Sequence, residues 1–265
     1  VSVDTLDDDV AGFTIEETDG STEVDESGST DIFTVVLDAQ PTSDVVLTIT
    51  SDDTGEATVP ASVTFTAADW DTPQTVTVTG VDDDLVDGTI TSTITIAVDD
   101  ANSDDGFDGL DDQTVSVDTL DDDVAGFTIE ETDGSTEVDE SGSTDIFTIV
   151  LDAQPTNDVV VLATASNDET EATVSGSITF TSENWDTPQT VTVTGVDDDL
   201  VDGDQTYDIT ISIVDTISDD EFDGVADQSV SSTTLDDDAP GFTIEETDAA
   251  TEVDESGSTD IFTVV

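Results

Sequence analysis

The side chains here best suited to chemistry are carboxylates, gathered in short acidic segments that recur along the chain. The first set comprises V-D-E-S-G with Glu26, S-D-D-T-G with Asp53, V-D-D-D-L-V-D-G with Asp82, Asp83, Asp84 and Asp87, and L-D-D-D with Asp121, Asp122 and Asp123. The second set supplies Glu140, Asp168, Asp197, Asp198, Asp199, Asp202, Asp236, Asp237 and Asp238, and an earlier triplet stands at Asp7, Asp8 and Asp9. Clustered oxygen ligands without His or Cys specify a hard cation. Ca²⁺ accepts about 6–8 oxygens in flexible geometry, whereas Mg²⁺ demands a tight octahedron and keeps its waters. The expectation is several Ca²⁺ ions per repeat, bridged by shared Asp side chains.

Nothing in the chain can neutralise these acids. Its 265 residues include 69 Asp plus Glu and no Lys, Arg or His, for a net charge of −69. No salt bridge between side chains can form, and self-repulsion on this scale opposes compaction. Bound cations or high ambient salt must offset it; near 1 M salt the Debye length falls to roughly 3 Å. Nucleic acid and anionic membrane surfaces are excluded as partners, because no residue can neutralise a phosphate. No apolar run is long enough to span a bilayer, so no membrane insertion is expected in this window. With no Cys there are no disulfides. With no His, Cys or Lys to act as base or nucleophile, and with sites duplicated, the chain is expected not to be an enzyme.

The segments belong to a tandem array. T-L-D-D-D-V-A-G-F-T-I-E-E-T-D starts at Thr5 and Thr119 and returns as T-L-D-D-D-A-P-G-F-T-I-E-E-T-D at Thr234, spacings of 114 and 115 residues. Repeats of that length can bury their own cores. Residues 1–12 read as the last strand and acidic linker of a preceding repeat, 13–126 and 127–241 as full repeats, and 242–265 as the start of another. The sequence therefore reads as a window from a longer protein, and its lack of trypsin sites suits an exposed extracellular polymer. Short alternating runs such as Phe33, Val35 and Leu37, or Val76 and Val78, are separated by Gly, Pro and Asp turns with no helical period. They predict an antiparallel β-sandwich.

In an immunoglobulin-like strand order, the four acidic segments of a repeat converge on one pole. The loop 99–112 lies at the other and is expected to face the preceding triplet, Asp7–Asp9 for the first repeat and Asp121–Asp123 for the second. With joints of only Val-Ala-Gly or Ala-Pro-Gly, the array should be a stiff rod. A blander account makes the same acids solvated turn residues of a halophilic surface protein, since Asp and Gly suit turns. Trp70 and Trp185 read as core plugs at a sandwich corner, and the Thr-rich faces as β-propensity without apolar exposure.

D-E-S-G-S-T-D-I-F-T-V-V-L, F-T-A-A-D-W-D-T-P-Q-T-V-T-V-T-G-V-D-D-D and the closing D-D-D-x-A/P-G together resemble the Calx-β domain, over the whole of each repeat. The resemblance implies a seven-stranded sandwich binding several Ca²⁺ ions at one pole. It favours Glu26, Asp53, Asp82–Asp84, Asp87 and Asp121–Asp123, with their second-repeat equivalents. The chain departs from the pattern with a single Asp (Asp87, Asp202) where the family carries several Glu, and without the Asp-Tyr pair common before the fifth strand. Calx-β repeats serve as calcium sensors or as spacers in extracellular adhesins and matrix proteins; near-identical copies fit the spacer. The leading expectation is a calcium-binding stalk or filament at the cell surface whose partners are its neighbouring repeats. The alternatives are a calcium sensor, a halophilic acidic filament, and a fibre in which terminal strands pair with other copies.

Overall fold

The computed structural model describes residues 8–166, 170–247 and 250–265. The expected strand at the amino end and the candidates Asp7 and Asp168 lie outside them. The described residues are all-β apart from two short 3-10 turns, and they form two β-sandwiches and a small hairpin.

The first sandwich contains β1 (Phe13–Glu17), β2 (Thr22–Asp25), β3 (Thr30–Leu37), β4 (Val45–Ser51), β5 (Ala57–Thr58), β6 (Ser62–Phe65), β7 (Gln74–Gly80), β8 (Ile90–Val98) and β9 (Gln113–Leu120). A four-stranded sheet in the order β1-β3-β7-β5 faces a five-stranded one in the order β2-β9-β8-β4-β6. β-branched residues at alternate positions suit this half-buried pleat. Phe33, Val35 and Leu37 of β3, Val76 and Val78 of β7, and Ile94 and Ile96 of β8 are all buried in one core, against which Trp70 packs as a half-buried plug. The intervening threonines face out.

The second sandwich repeats this order with β10 (Phe127–Glu131), β11 (Thr136–Asp139), β12 (Thr144–Leu151), β13 (Val159–Ala165), β14 (Ala172–Val174), β15 (Ser177–Phe180), β16 (Gln189–Gly195), β17 (Gln205–Ile213) and β18 (Gln228–Leu235). The hairpin of β19 (Ile244–Glu246) and β20 (Phe262–Val264) leaves Ile244, Phe262 and Val264 exposed.

One pairing departs from the antiparallel expectation. After β1 the chain turns at Gly20, whose φ is +86°, a left-handed conformation open to glycine at no steric cost. It then crosses to the other sheet, where β2 runs parallel to β9; β11 and β18 repeat the arrangement. Parallel strands end at the same pole. The Glu26 N–H therefore donates to Leu120 O at 3.0 Å, setting Glu26 beside the triplet that begins at Asp121.

A candidate cation site at each pole

Four loops meet at the pole of the first sandwich. The β2–β3 turn carries Glu26, the β4–β5 loop Asp53 and Glu56, the β7–β8 loop Asp82–Asp87, and the end of β9 Asp121–Asp123. Their approach depends on Gly80: a Cβ there would overlap Asp25 O, and Gly195 stands in the same relation to Asp139. The loops are cross-tied by backbone. The Val81 N–H donates to Glu56 O at 2.9 Å, and the Asp52 N–H donates to Thr93 O at 3.1 Å.

Within the two Asp triplets, side chains alternate as extended backbone requires. Asp83, Asp121 and Asp123 turn inward, while Asp82, Asp84 and Asp122 are exposed. Asp121 fastens the β7–β8 loop: its Oδ2 accepts from the Asp87 N–H at 3.1 Å and the Gly88 N–H at 2.8 Å, and its Oδ1 accepts from the Asp123 N–H at 2.8 Å. Asp83 Oδ1 accepts from the Leu85 N–H at 2.7 Å. Asp53 is exposed, with its Oδ1 accepting from the Gly55 N–H at 2.9 Å, so it shapes the turn.

The residue that dives inward from that loop is Glu56, which the sequence reading did not single out. It is 7% exposed. Its only sequence signal was a carboxylate immediately before the first buried strand residue, Ala57.

At the centre lies Glu26, 1% exposed, with neither carboxylate oxygen hydrogen-bonded. Glu56 Oε2, Asp87 Oδ1 and Asp123 Oδ2 are likewise buried without a partner. Oxygens from Glu26, Asp83 and Asp123 lie within 4.8 Å of one another. Burial, then the charges of Asp83, Asp121, Glu56 and Asp87, push the Glu26 carboxyl up to about 8. Burial and Asp121 lead in pushing Asp123 up to about 6. A buried unpaired carboxylate costs several kcal/mol or takes up a proton, and no cationic side chain exists to pair with it. The remaining counter-ions are a proton or a metal.

The second pole repeats this pattern. Glu140 is 1% exposed with both oxygens unpartnered, and it groups with Asp236 and Asp238 within 4.8 Å. Asp198 also turns inward, while Asp197, Asp199, Asp202 and Asp237 are exposed. Glu171 takes the place of Glu56, and burial raises its pKa, helped by Asp202 and Asp198.

The joint between the sandwiches differs from the expected meeting of triplet and loop. Asp123 folds back into its own pole, and it is the β7–β8 loop that reaches across. Val86, 7% exposed, joins the second core; its N–H donates to Gln154 O at 3.2 Å, and the Gln154 N–H donates to Asp84 O at 2.6 Å. A cavity of about 450 Å³ there is lined by Val86, Asp87, Thr156, Asn157, Asp220 and Glu221, among others. The physical reason is the Leu-Val pair within the loop, which gains more by burial than an acidic triplet does. Asp104, in the loop expected at the opposite pole, is structural, and so is its second-repeat counterpart Asp219, whose Oδ2 accepts from the Asn157 N–H at 2.6 Å. Asp104 accepts from the Thr42 hydroxyl at 2.7 Å, the Gly106 N–H at 2.9 Å and the Ser43 N–H at 2.8 Å, which hold its carboxyl below the usual range. Asp8 and Asp9 are exposed, and Asp9 lines a cavity with Ala39, Pro41 and Phe107.

No protein-family model matches the chain, and no curated protein matches it. Among solved structures it is similar to the calcium binding domain CBD12 of CALX1.1, at 15% identity and a TM-score of 0.32 over 75% of this chain and 80% of that one. Titin domains Z1Z2 in complex with telethonin align at 13% identity and a TM-score of 0.38, over 89% of this chain and 100% of that one. Domains 1–6 of the surface layer protein SbsC align at 15% identity and a TM-score of 0.35, over 95% of this chain and 32% of that one. Likeness at this level carries nothing about function, which has to be argued from the carboxylates themselves.

Proposed function

We propose that the chain is a non-catalytic, calcium-binding repeat region of an extracellular surface protein of the Calx-β type, in which Ca²⁺ at the poles stiffens an array of sandwiches. The observation that carries this reading is Glu26, matched by Glu140: a carboxylate 1% exposed, unpartnered at both oxygens and grouped with two further carboxylates, in a chain of net charge −69. Several carboxylates on separate loops suit the larger, less exacting Ca²⁺ better than Mg²⁺. In the first repeat Glu26, Asp83 and Asp123 would hold the ion, with the charges of Asp121, Glu56 and Asp87 acting on the same place. The ion supplies the positive charge the sequence lacks, and the loop carrying Asp83 and Asp87 also carries Val86 into the next sandwich. Metal at the pole and order at the joint thus share one segment.

The test is calorimetric melting with millimolar Ca²⁺ against chelator at matched ionic strength. A ligand at 100 times its Kd stabilises by about 2.7 kcal/mol per site, so calcium should raise Tm well above what NaCl or Mg²⁺ achieves. Equal rescue by NaCl would replace this reading with salt screening of an acidic, halophilic surface.

A further inference from the structure

Beneath each pole, on the inner face of the five-stranded sheet, lies a patch of buried hydroxyls. In the first repeat Thr22 of β2 and Ser92 of β8 both pair with Val117 of β9, and Thr119 lies two residues nearer the pole. Thr22 is 2% exposed, Ser92 2% and Thr119 0%, and none of the three hydroxyls has a hydrogen-bond partner. Each unmade bond of this kind costs about 1–3 kcal/mol. Those of Ser92 and Thr119 have a common explanation.

The second repeat supplies it. Tyr207 occupies the position of Ser92, and Ser232 that of Val117. The Ser232 hydroxyl donates to Tyr207 Oη at 3.1 Å, and the Thr234 hydroxyl contacts the same oxygen at 3.2 Å. A phenol thus reaches up the sheet to two of the hydroxyls, of which Thr234 also meets Glu171 O at 3.3 Å, while Thr136, the counterpart of Thr22, stays unpaired.

We propose that the first repeat binds ordered water where the second places the phenol of Tyr207, with Ser92 and Thr119 as its buried ligands. A buried water takes about 2–4 polar partners, and each hydroxyl both donates and accepts. The hydroxyls are uncharged and buried, on strands that lead to the Glu26 pole. The two near-identical repeats therefore differ beneath their cation sites: one floor is hydrated, the other sealed by an aromatic ring. This inference does not rest on calcium binding, because the hydroxyls need a partner with the pole loaded or bare.

Water-oxygen magnetic relaxation dispersion on the whole chain, which registers long-lived internal waters, tests it in both calcium and chelator. The double variant Ser92→Tyr/Val117→Ser recreates the second repeat's set and should lose dispersion amplitude relative to wild type. Tyr207→Ser opens the sealed floor and should gain amplitude, which keeps the test alive if the double variant folds poorly. Unchanged amplitude in either folded variant would overturn the proposal.

Discussion

Glu26→Gln abolishes the calcium-dependent stabilisation of the first repeat while leaving that of the second intact. The amide keeps the volume of the side chain and can donate a hydrogen bond, but it carries no charge. In chelator the variant should melt no lower than wild type, because the substitution removes a carboxylate that burial and the neighbouring Asp83, Asp121, Glu56 and Asp87 all disfavour. In calcium it forfeits about 2.7 kcal/mol at 100 times Kd, which for a domain of this size moves its transition by roughly 10 °C. Glu140→Gln should act the same way on the second transition. Asp82→Asn, at an exposed position in the same cluster, should change little. A Glu26→Gln protein that melts with wild type in calcium would mean the central carboxylate holds no ion.

The second large effect is on pH. Glu26 is raised from 4.5 to about 8 and Asp123 from 3.8 to about 6. Groups raised in the fold hold protons there that the unfolded chain has already lost. Their contribution to metal-free stability is present at low pH and disappears as pH rises through about 6 and then about 8, since stability falls wherever the native state binds more protons. Calcium must displace these protons, so its affinity moves the opposite way, by roughly tenfold per pH unit for each proton released. Melting curves in chelator should therefore fall between pH 6 and 8 while the calcium-induced increment grows. A metal-free Tm that climbs across that window would contradict the assignment of the buried protons.

The strands were legible because alternation of Val, Ile and Phe with Thr leaves no competing period, and the converging loops followed from strand order. The inner and outer members of the acidic segments were not legible, since D-D-D spells three equal ligands until the pleat turns Asp83 inward and Asp82 and Asp84 outward. Glu56 was hidden for a related reason: beside S-D-D-T-G it looks like one more solvated turn acid, and only the packing of Ala57 draws it inside. The joint depended on Leu85 and Val86, two apolar residues inside an acidic loop. Their equivalents Leu200 and Val201 are 60% and 54% exposed, so burial there comes from what the loop meets. The parallel register of β2 against β9 depends on where the chain changes sheets after Gly20, which no local pattern marks.

The central claim is that divalent metal lies among buried carboxylates at each pole. Diffraction from crystals grown in calcium, recorded where calcium scatters anomalously, addresses it directly. The expected result is an anomalous peak bounded by Glu26, Asp83 and Asp123 and another bounded by Glu140, Asp236 and Asp238. Featureless anomalous maps at both poles, with these side chains hydrated or sharing protons, would contradict it.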